Sequence, residues 1–143
     1  MPKPDQEKIL ERFVKQPSCS PAVQYLRDIE WYYAIDLMGK ADAVLDIGSE
    51  INVTRQLEAT RTTRVDFSLG ASQRAKQELI SKAVGFYTVS PENPNLPFGD
   101  GEFDKVVSIG PYDFRFLNIF ELTKEISRIL KRNGQFVFSV PTI

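Results

Sequence analysis

Two hydrophobic periods alternate along the chain. Short unbroken apolar runs are separated by stretches in which apolar residues return every three or four positions. The first pattern reads as strands buried on both faces, the second as helices with one buried stripe. Residues 5–15 predict a short helix with Ile9, Phe13 and Val14 on one side. Ser20-Pro21 then opens a longer helix, with Ser as N-cap and Pro at the first helical position. Ala22, Leu26, Ile29, Tyr33 and Leu37 form its stripe, and Gly39 stops it. Trp31 and Tyr32 fall off that stripe, either lining a substrate mouth or packing on the preceding helix.

Further on, Ala43 to Ile47 predicts a strand with no polar alternation, ended by a glycine turn at Gly48. Asn52 to Thr60 predicts a short helix holding Val53 and Leu57 one turn apart, and Thr62 to Asp66 a second strand. Ser68 caps a helix toward Lys82, with Ala71, Ala75 and Leu79 facing inward. Val84 to Val89 is the third strand, Ser90 to Asn95 a loop, and Gly99-Asp100-Gly101 a turn. Phe103 to Ile109 is the fourth strand. A helix over Phe116 to Lys131, with Ile119, Leu122, Ile126, Ile129 and Leu130 inside, leads through Gly134 as its stop into a fifth strand, Gln135 to Val140. Asn133-Gly134 signals a hairpin as the alternative, but the preceding helix favours a C-cap. Strands alternating with helices predict a parallel sheet covered on both faces, an α/β, Rossmann-like three-layer sandwich.

Within that pattern two acids end successive strands, Asp46 and, twenty positions on, Asp66. In open α/β sheets ligands bind outside the carboxyl ends of the strands. An acid about 20 residues past the first glycine turn is placed to accept both hydroxyls of a ribose. The alternative for Asp46-Ile47-Gly48 is an ordinary strand-to-helix turn.

Composition narrows the classes. A chain of 143 residues fits one domain, read as N-terminal helices over 1–40 and a binding core over 41–143. Its net charge of −1, with acids and bases interspersed, leaves no electrostatic footprint for nucleic acid. No apolar run reaches bilayer length, and the N-terminus lacks a signal-peptide core. Cys19 is the single cysteine, which excludes an intrachain disulfide and suits a reducing cytoplasm. Histidine is absent, so the commonest general base and metal ligand are missing, and no metal site is expected.

Four stretches together resemble the class I S-adenosylmethionine-dependent methyltransferases, especially the group called type 11. Val44-Leu45-Asp46-Ile47-Gly48 is similar to the family's first motif and Arg64-Val65-Asp66-Phe67-Ser68 to its second. Leu96-Pro97-Phe98 to Val106-Val107-Ser108 follows its "LPF, acidic turn, FD, VVS" pattern, and Glu125 to Phe136 matches the helix and turn before the fifth strand. The resemblance implies strand order 3-2-1-4-5 and S-adenosylmethionine as cofactor. Gly48, Ser49 and Glu50, following Asp46, would pass under its methionine half. Asp66, followed by Phe67, would hold the ribose. Ser90, Glu92 or Asn93 would meet the adenine amine, and Ser108, Ile109 and Gly110 would border the sulfonium.

The family's first motif usually carries glycines where this chain has Glu50 and Asn52. Asn52 tolerates the left-handed conformation, whereas Glu50 sets a long charged side chain where backbone should approach ligand. The expectation is therefore methyl transfer to a small-molecule or lipid-like acceptor with cofactor binding weakened or lost. The alternative is a non-catalytic binding or scaffold subunit. A nicotinamide dehydrogenase is disfavoured because Gly48-Ser49-Glu50 lacks the glycine spacing that admits a pyrophosphate. No catalytic residue is assigned; Tyr112 and Asp113 are candidates for a base, with a plain loop as the alternative. Ending at Pro141-Thr142-Ile143, without the antiparallel pair usual in the family, the chain is also expected to be a fragment or to pair its fifth strand with another chain.

Overall fold

The computed structural model describes residues 21–109 and 117–139. The predicted helix over 5–15, Gly110, Tyr112, Asp113 and the predicted strand end at Val140 lie outside that range. In chain order the elements are α1 (Pro21–Met38), β1 (Lys40–Ile47), α2 (Ile51–Gln56), β2 (Glu58–Asp66), α3 (Leu69–Glu78), β3 (Val84–Thr88), β4 (Phe103–Ser108), α4 (Ile119–Ile129) and β5 (Leu130–Phe138). The five strands form one sheet in the order β3-β2-β1-β4-β5, with every neighbouring pair parallel. This is the Rossmann-like α/β architecture that the alternation predicts.

Because strand side chains alternate, β1 feeds two cores. Ala43, Leu45 and Ile47 join Val65, Phe103 and Val106 on one face, where Leu122, Ile126 and Ile129 of α4 cover them. Val44 joins Val107 and Val137 on the other face, under Trp31, Ala34 and Met38 of α1 and Val53 and Leu57 beside α2. Burial of each large aliphatic side chain contributes about 1.5–3 kcal/mol. Ala43, Val44, Leu45 and Ile47 are apolar because the central strand is covered on both faces, and Asp46 near its carboxyl end is the buried exception.

α1 turns a different stripe inward from the one predicted. Trp31, Ala34 and Met38, spaced three and four apart, are buried, while Tyr33 is 61% and Leu37 60% exposed. Tyr32 is exposed as well. This helix has two apolar stripes, and periodicity alone does not rank them. Trp31 is thus a core residue rather than one lining a substrate mouth. The preceding helix, the alternative for it to pack on, lies outside the described residues.

Several boundaries also moved. α2 ends at Gln56 because Leu57 is already extended and Glu58 pairs with Lys40. Lys82 Nζ closes that turn, donating to the Leu57 carbonyl at 2.6 Å and the Arg55 carbonyl at 3.2 Å. α3 stops at Glu78, short of Lys82, with Leu79 as its C-cap and Ser68 Oγ accepting the Ala71 N–H as its N-cap. α4 begins at Ile119, where Asn118 Oδ1 accepts the Glu121 N–H, and Ile119 itself is exposed rather than inside.

Gly134 is not the stop of α4. The helix ends at Ile129, and Leu130 already pairs with Phe103. Pairing resumes at Lys105 with Gln135, so Lys131 to Gly134 bulge out of β5. Asn133 takes φ of 67° in that bulge. A Cβ on Gly134 would lie 2.8 Å from the Lys131 carbonyl oxygen and 3.1 Å from that of Asp104. Close backbone approach, not helix capping, requires glycine there.

Candidate functional site

The sheet changes direction of progression between β1 and β4, since the chain winds outward to β2 and β3 on one side and to β5 on the other. The carboxyl ends of these two strands flank the crevice where open α/β sheets take ligands. Gly48 makes the turn out of β1 with φ of 60°, and its N–H donates to the Val65 carbonyl at 2.8 Å. The next residues reach across to β4. Ser49 Oγ accepts the Ile109 N–H at 2.8 Å, and the Glu50 N–H donates to the Ile109 carbonyl at 3.3 Å. Ser108 Oγ donates to the Ile47 carbonyl at 3.0 Å. Gly48, Ser49, Glu50, Ser108 and Ile109 are therefore brought together on one rim. Glu50 holds φ of −57° and ψ of 145°, a conformation open to any residue, so this turn runs without a glycine there.

Beneath the rim lies a buried polar line. Arg64 grips Asp66 with a two-point fork, Nε to Oδ2 and Nη2 to Oδ1, each 2.9 Å. The guanidinium is 0% and the Asp66 side chain 1% exposed. Arg64 Nη1 donates to Thr54 Oγ1 at 2.7 Å, and Thr54 Oγ1 donates to Asp46 Oδ2, also at 2.7 Å. Arg64 Nη1 lies 4.0 Å from the same Asp46 oxygen. Asp46 Oδ1 accepts the Ser49 N–H at 3.1 Å. Side chains two apart on a strand share a face, which is why Arg64 and Asp66 meet.

Burial raises the Asp46 carboxyl above its usual pKa, outweighing Arg64 and the bonds from Ser49 and Thr54. Two acids thus share one buried cation. The guanidinium gives its fork to Asp66, while Asp46 is held by Thr54 and the main chain. Asp46 and Asp66 were legible as acids ending successive strands; Thr54 was not singled out. Arg64, which the sequence groups with Arg55 and Arg61 as a solvated face, is instead fully buried because its position in β2 turns it toward the two acids. A charged residue inside a strand buried on both faces was the available signal for Arg64.

The remaining candidates divide. Phe67 turns into the core beside Ile47, Val65 and Val89. Ser90, Glu92 and Asn93 stand exposed on the loop after β3. That loop is tied to the start of α4, where the Asn118 N–H donates to the Pro91 carbonyl at 2.7 Å. Among the described residues no cluster of three His, Cys, Asp or Glu side chains fits a metal ion.

The motif stretches outside the rim hold the scaffold. Arg128 on α4 donates to the carbonyls of Leu96 and Phe98 at 2.9 and 2.7 Å, and to Asp100 at 3.0 Å. Glu125 accepts the Leu96 N–H at 2.8 Å and pairs with Arg128. The "LPF" turn is thereby stapled to the helix that follows it. An open concavity of ≈ 470 Å³ lies at the opposite, amino edge of the sheet, lined by Lys40, Asp42, Glu58, Thr60 and Asp104 among others. None of the candidate ligand residues faces it.

Comparison with known proteins agrees with this arrangement. A family model described as a methyltransferase domain matches residues 45–138. No curated protein matched the sequence. Among solved structures, a Methanococcus maripaludis protein assigned as an S-adenosyl-L-methionine-dependent methyltransferase superposes with a TM-score of 0.68 at 21% identity, over 96% of this chain and 64% of its own. The complex of the Haloferax volcanii Trm112 methyltransferase activator with a methyltransferase gives 0.63 at 24%, over 82% and 55%. Geranyl diphosphate C-methyltransferase from Streptomyces coelicolor A3(2), bound to Mg2+, geranyl diphosphate and S-adenosyl-L-homocysteine, gives 0.62 at 21%, over 80% and 46%. The chain spans about half to two-thirds of the length of these relatives. With the family model covering well over half of the sequence, and the motifs lying on the strand ends and turns of a 3-2-1-4-5 sheet, the chain belongs to the class I S-adenosylmethionine-dependent methyltransferase family.

Proposed function

We propose that this chain transfers a methyl group from S-adenosylmethionine to a small-molecule or lipid-like acceptor. The observation that carries the reading is the rim at the switch point, where the Gly48 turn and the end of β4 meet above two strand-ending acids. In this reading Gly48, Ser49 and Glu50 flank the methionine half of the cofactor and Asp66 takes the ribose. Ser90, Glu92 or Asn93 meets the adenine amine, and Ser108, Ile109 and Gly110 border the sulfonium. When bound, the cofactor supplies a methyl group on a good leaving group, so no acid is needed at the sulfur. Aligning acceptor, methyl and sulfur then supplies much of the acceleration, up to roughly 7–11 kcal/mol in favourable cases. A lipid-like acceptor has support in the relative that holds geranyl diphosphate.

The reading treats 1–143 as one unit, cytoplasmic in accord with its single cysteine and without nucleic acid as partner in accord with its net charge of −1. It also includes a partner chain on β5, which among the described residues pairs only with β4. No described helix is long and apolar enough to cross a membrane.

A second reading, a non-catalytic binding or scaffold subunit of the same fold, is favoured by the Arg64 fork on Asp66 and by the direct bonds of Ser49 and Glu50 to Ile109. Calorimetric titration with S-adenosylmethionine, S-adenosylhomocysteine and NAD separates the two. Uptake of the first two, with NAD silent, supports the methyltransferase. Silence toward all three leaves the scaffold reading.

A further inference from the structure

We propose that Arg64 is an internal gate on the ribose acid, holding Asp66 in the hydrogen-bonding positions a ribose would use and releasing it when ligand enters. The inference rests on the methyltransferase reading and deepens it.

Three features point to a gate rather than a fixed support. First, the fork takes the paired, two-oxygen face of the Asp66 carboxylate, and that side chain is buried, so a diol cannot take the same two-point grip in this state. Carboxylate recognition by a ribose and by a guanidinium are alike in form, each presenting two parallel donors to two oxygens. Second, the cation has a second seat. Nη1 already bonds Thr54 Oγ1 and lies 4.0 Å from Asp46 Oδ2, so a small shift along the line passes the charge from one acid to the other. A buried guanidinium can leave one carboxylate only where another receives it, because an unpaired buried charge is strongly unfavourable. Third, the second seat is wired to the rim. Asp46 accepts the Ser49 N–H, and Ser49 Oγ accepts the Ile109 N–H, so a change at Asp46 is felt where the methionine half and sulfonium would lie.

The gate sets affinity and selectivity together. A ligand gains the Asp66 contact only if its diol replaces what the fork gave up, so ligands lacking the diol gain nothing from opening it. Affinity of the unmodified chain for adenosine compounds is low for this reason, in addition to any effect of Glu50.

The test compares the unmodified chain with Arg64→Met, which removes the fork but keeps an unbranched side chain, and Arg64→Lys, which keeps the charge but cannot grip both oxygens. Each is titrated with S-adenosylhomocysteine, adenosine and 2′,3′-dideoxyadenosine, and its melting is followed with and without ligand to separate folding from binding. Arg64→Met is expected to bind S-adenosylhomocysteine and adenosine about tenfold tighter or more, the worth of a charge-assisted hydrogen bond. Arg64→Lys should show a smaller gain, and dideoxyadenosine none. If Arg64→Met fails to fold, the Arg64→Lys gain for adenosine over its dideoxy analogue decides. Equal or weaker binding by the variants overturns the gate while leaving the methyltransferase reading intact. An equal gain for dideoxyadenosine overturns it as well. Absence of S-adenosylhomocysteine binding in all three proteins removes both.

Discussion

The Asp104 carboxylate on β4 accepts the backbone N–H groups of Ala43 at 2.6 Å and Asp42 at 3.0 Å, fastening the start of β1 to the strand beside it. Replacing it by Asn leaves one of the two amides facing a donor, and Asp104→Asn should cost about 1.5–3 kcal/mol in urea unfolding. Burial alone would raise the Asp104 pKa, but the Ala43 and Asp42 amides outweigh it and hold it below the usual value. A depressed folded pKa contributes stability that is present above the unfolded value near about 3.9 and is lost as pH falls through the folded one. The difference between native and variant should therefore narrow only in acid below about pH 4. A gap constant down to pH 2 would show that the carboxylate charge plays no part.

Asp66→Asn should abolish binding of S-adenosylhomocysteine, because the amide nitrogen offers a donor where the ribose needs an acceptor. Asn is preferred to Ala here. Asn keeps one of the two oxygens that the Arg64 fork uses, whereas Ala leaves that buried guanidinium with neither. Calorimetry on a variant that still melts cooperatively gives the answer, and unchanged affinity would put the pocket elsewhere.

Glu50→Gly should tighten cofactor binding several-fold. Its backbone angles are ordinary, so what the glycine changes is the removal of a long acidic side chain from the rim. Weaker binding in this variant would mean that Glu50 meets the ligand's ammonium.

β5 leaves one edge unpaired among the described residues, and Phe138 near its end is 56% exposed and stacked on Phe136 at 4.8 Å. Such an edge offers backbone N–H and C=O groups to another chain. Light scattering over a concentration series should show self-association that Phe138→Lys reduces. A monomer at high concentration, the same with and without that change, would dismiss the partner strand.

The layout of the sheet was readable because its strands are unbroken apolar runs and its helices follow them one by one. Asp46, Gly48 and Asp66 were placed at strand ends for the same reason. What escaped depended on choices that local pattern leaves open. α1 has two apolar stripes, and only the packed sheet selects Trp31, Ala34 and Met38. Asn133-Gly134 signals a tight turn equally well after a helix or inside a strand, and here Leu130 has already entered β5. Arg64 joins acids 2 and 18 positions away, and the sequence does not say which of them it grips.

Asp104 and Ala43 are 61 residues apart, and that separation has a consequence for how the chain is made. During synthesis β1, β2 and β3 emerge together and can pair in turn. β1 is the centre of the finished sheet, yet its second neighbour has not been translated when the first is in place. Until β4 appears, β1 is an edge strand with apolar residues on both faces and open backbone groups along one side. Contacts of such long range are slow to form because the intervening loop must close first. The nascent chain therefore passes through a stage in which its future core is its most adhesive surface, and the arrival of Asp104 ends it.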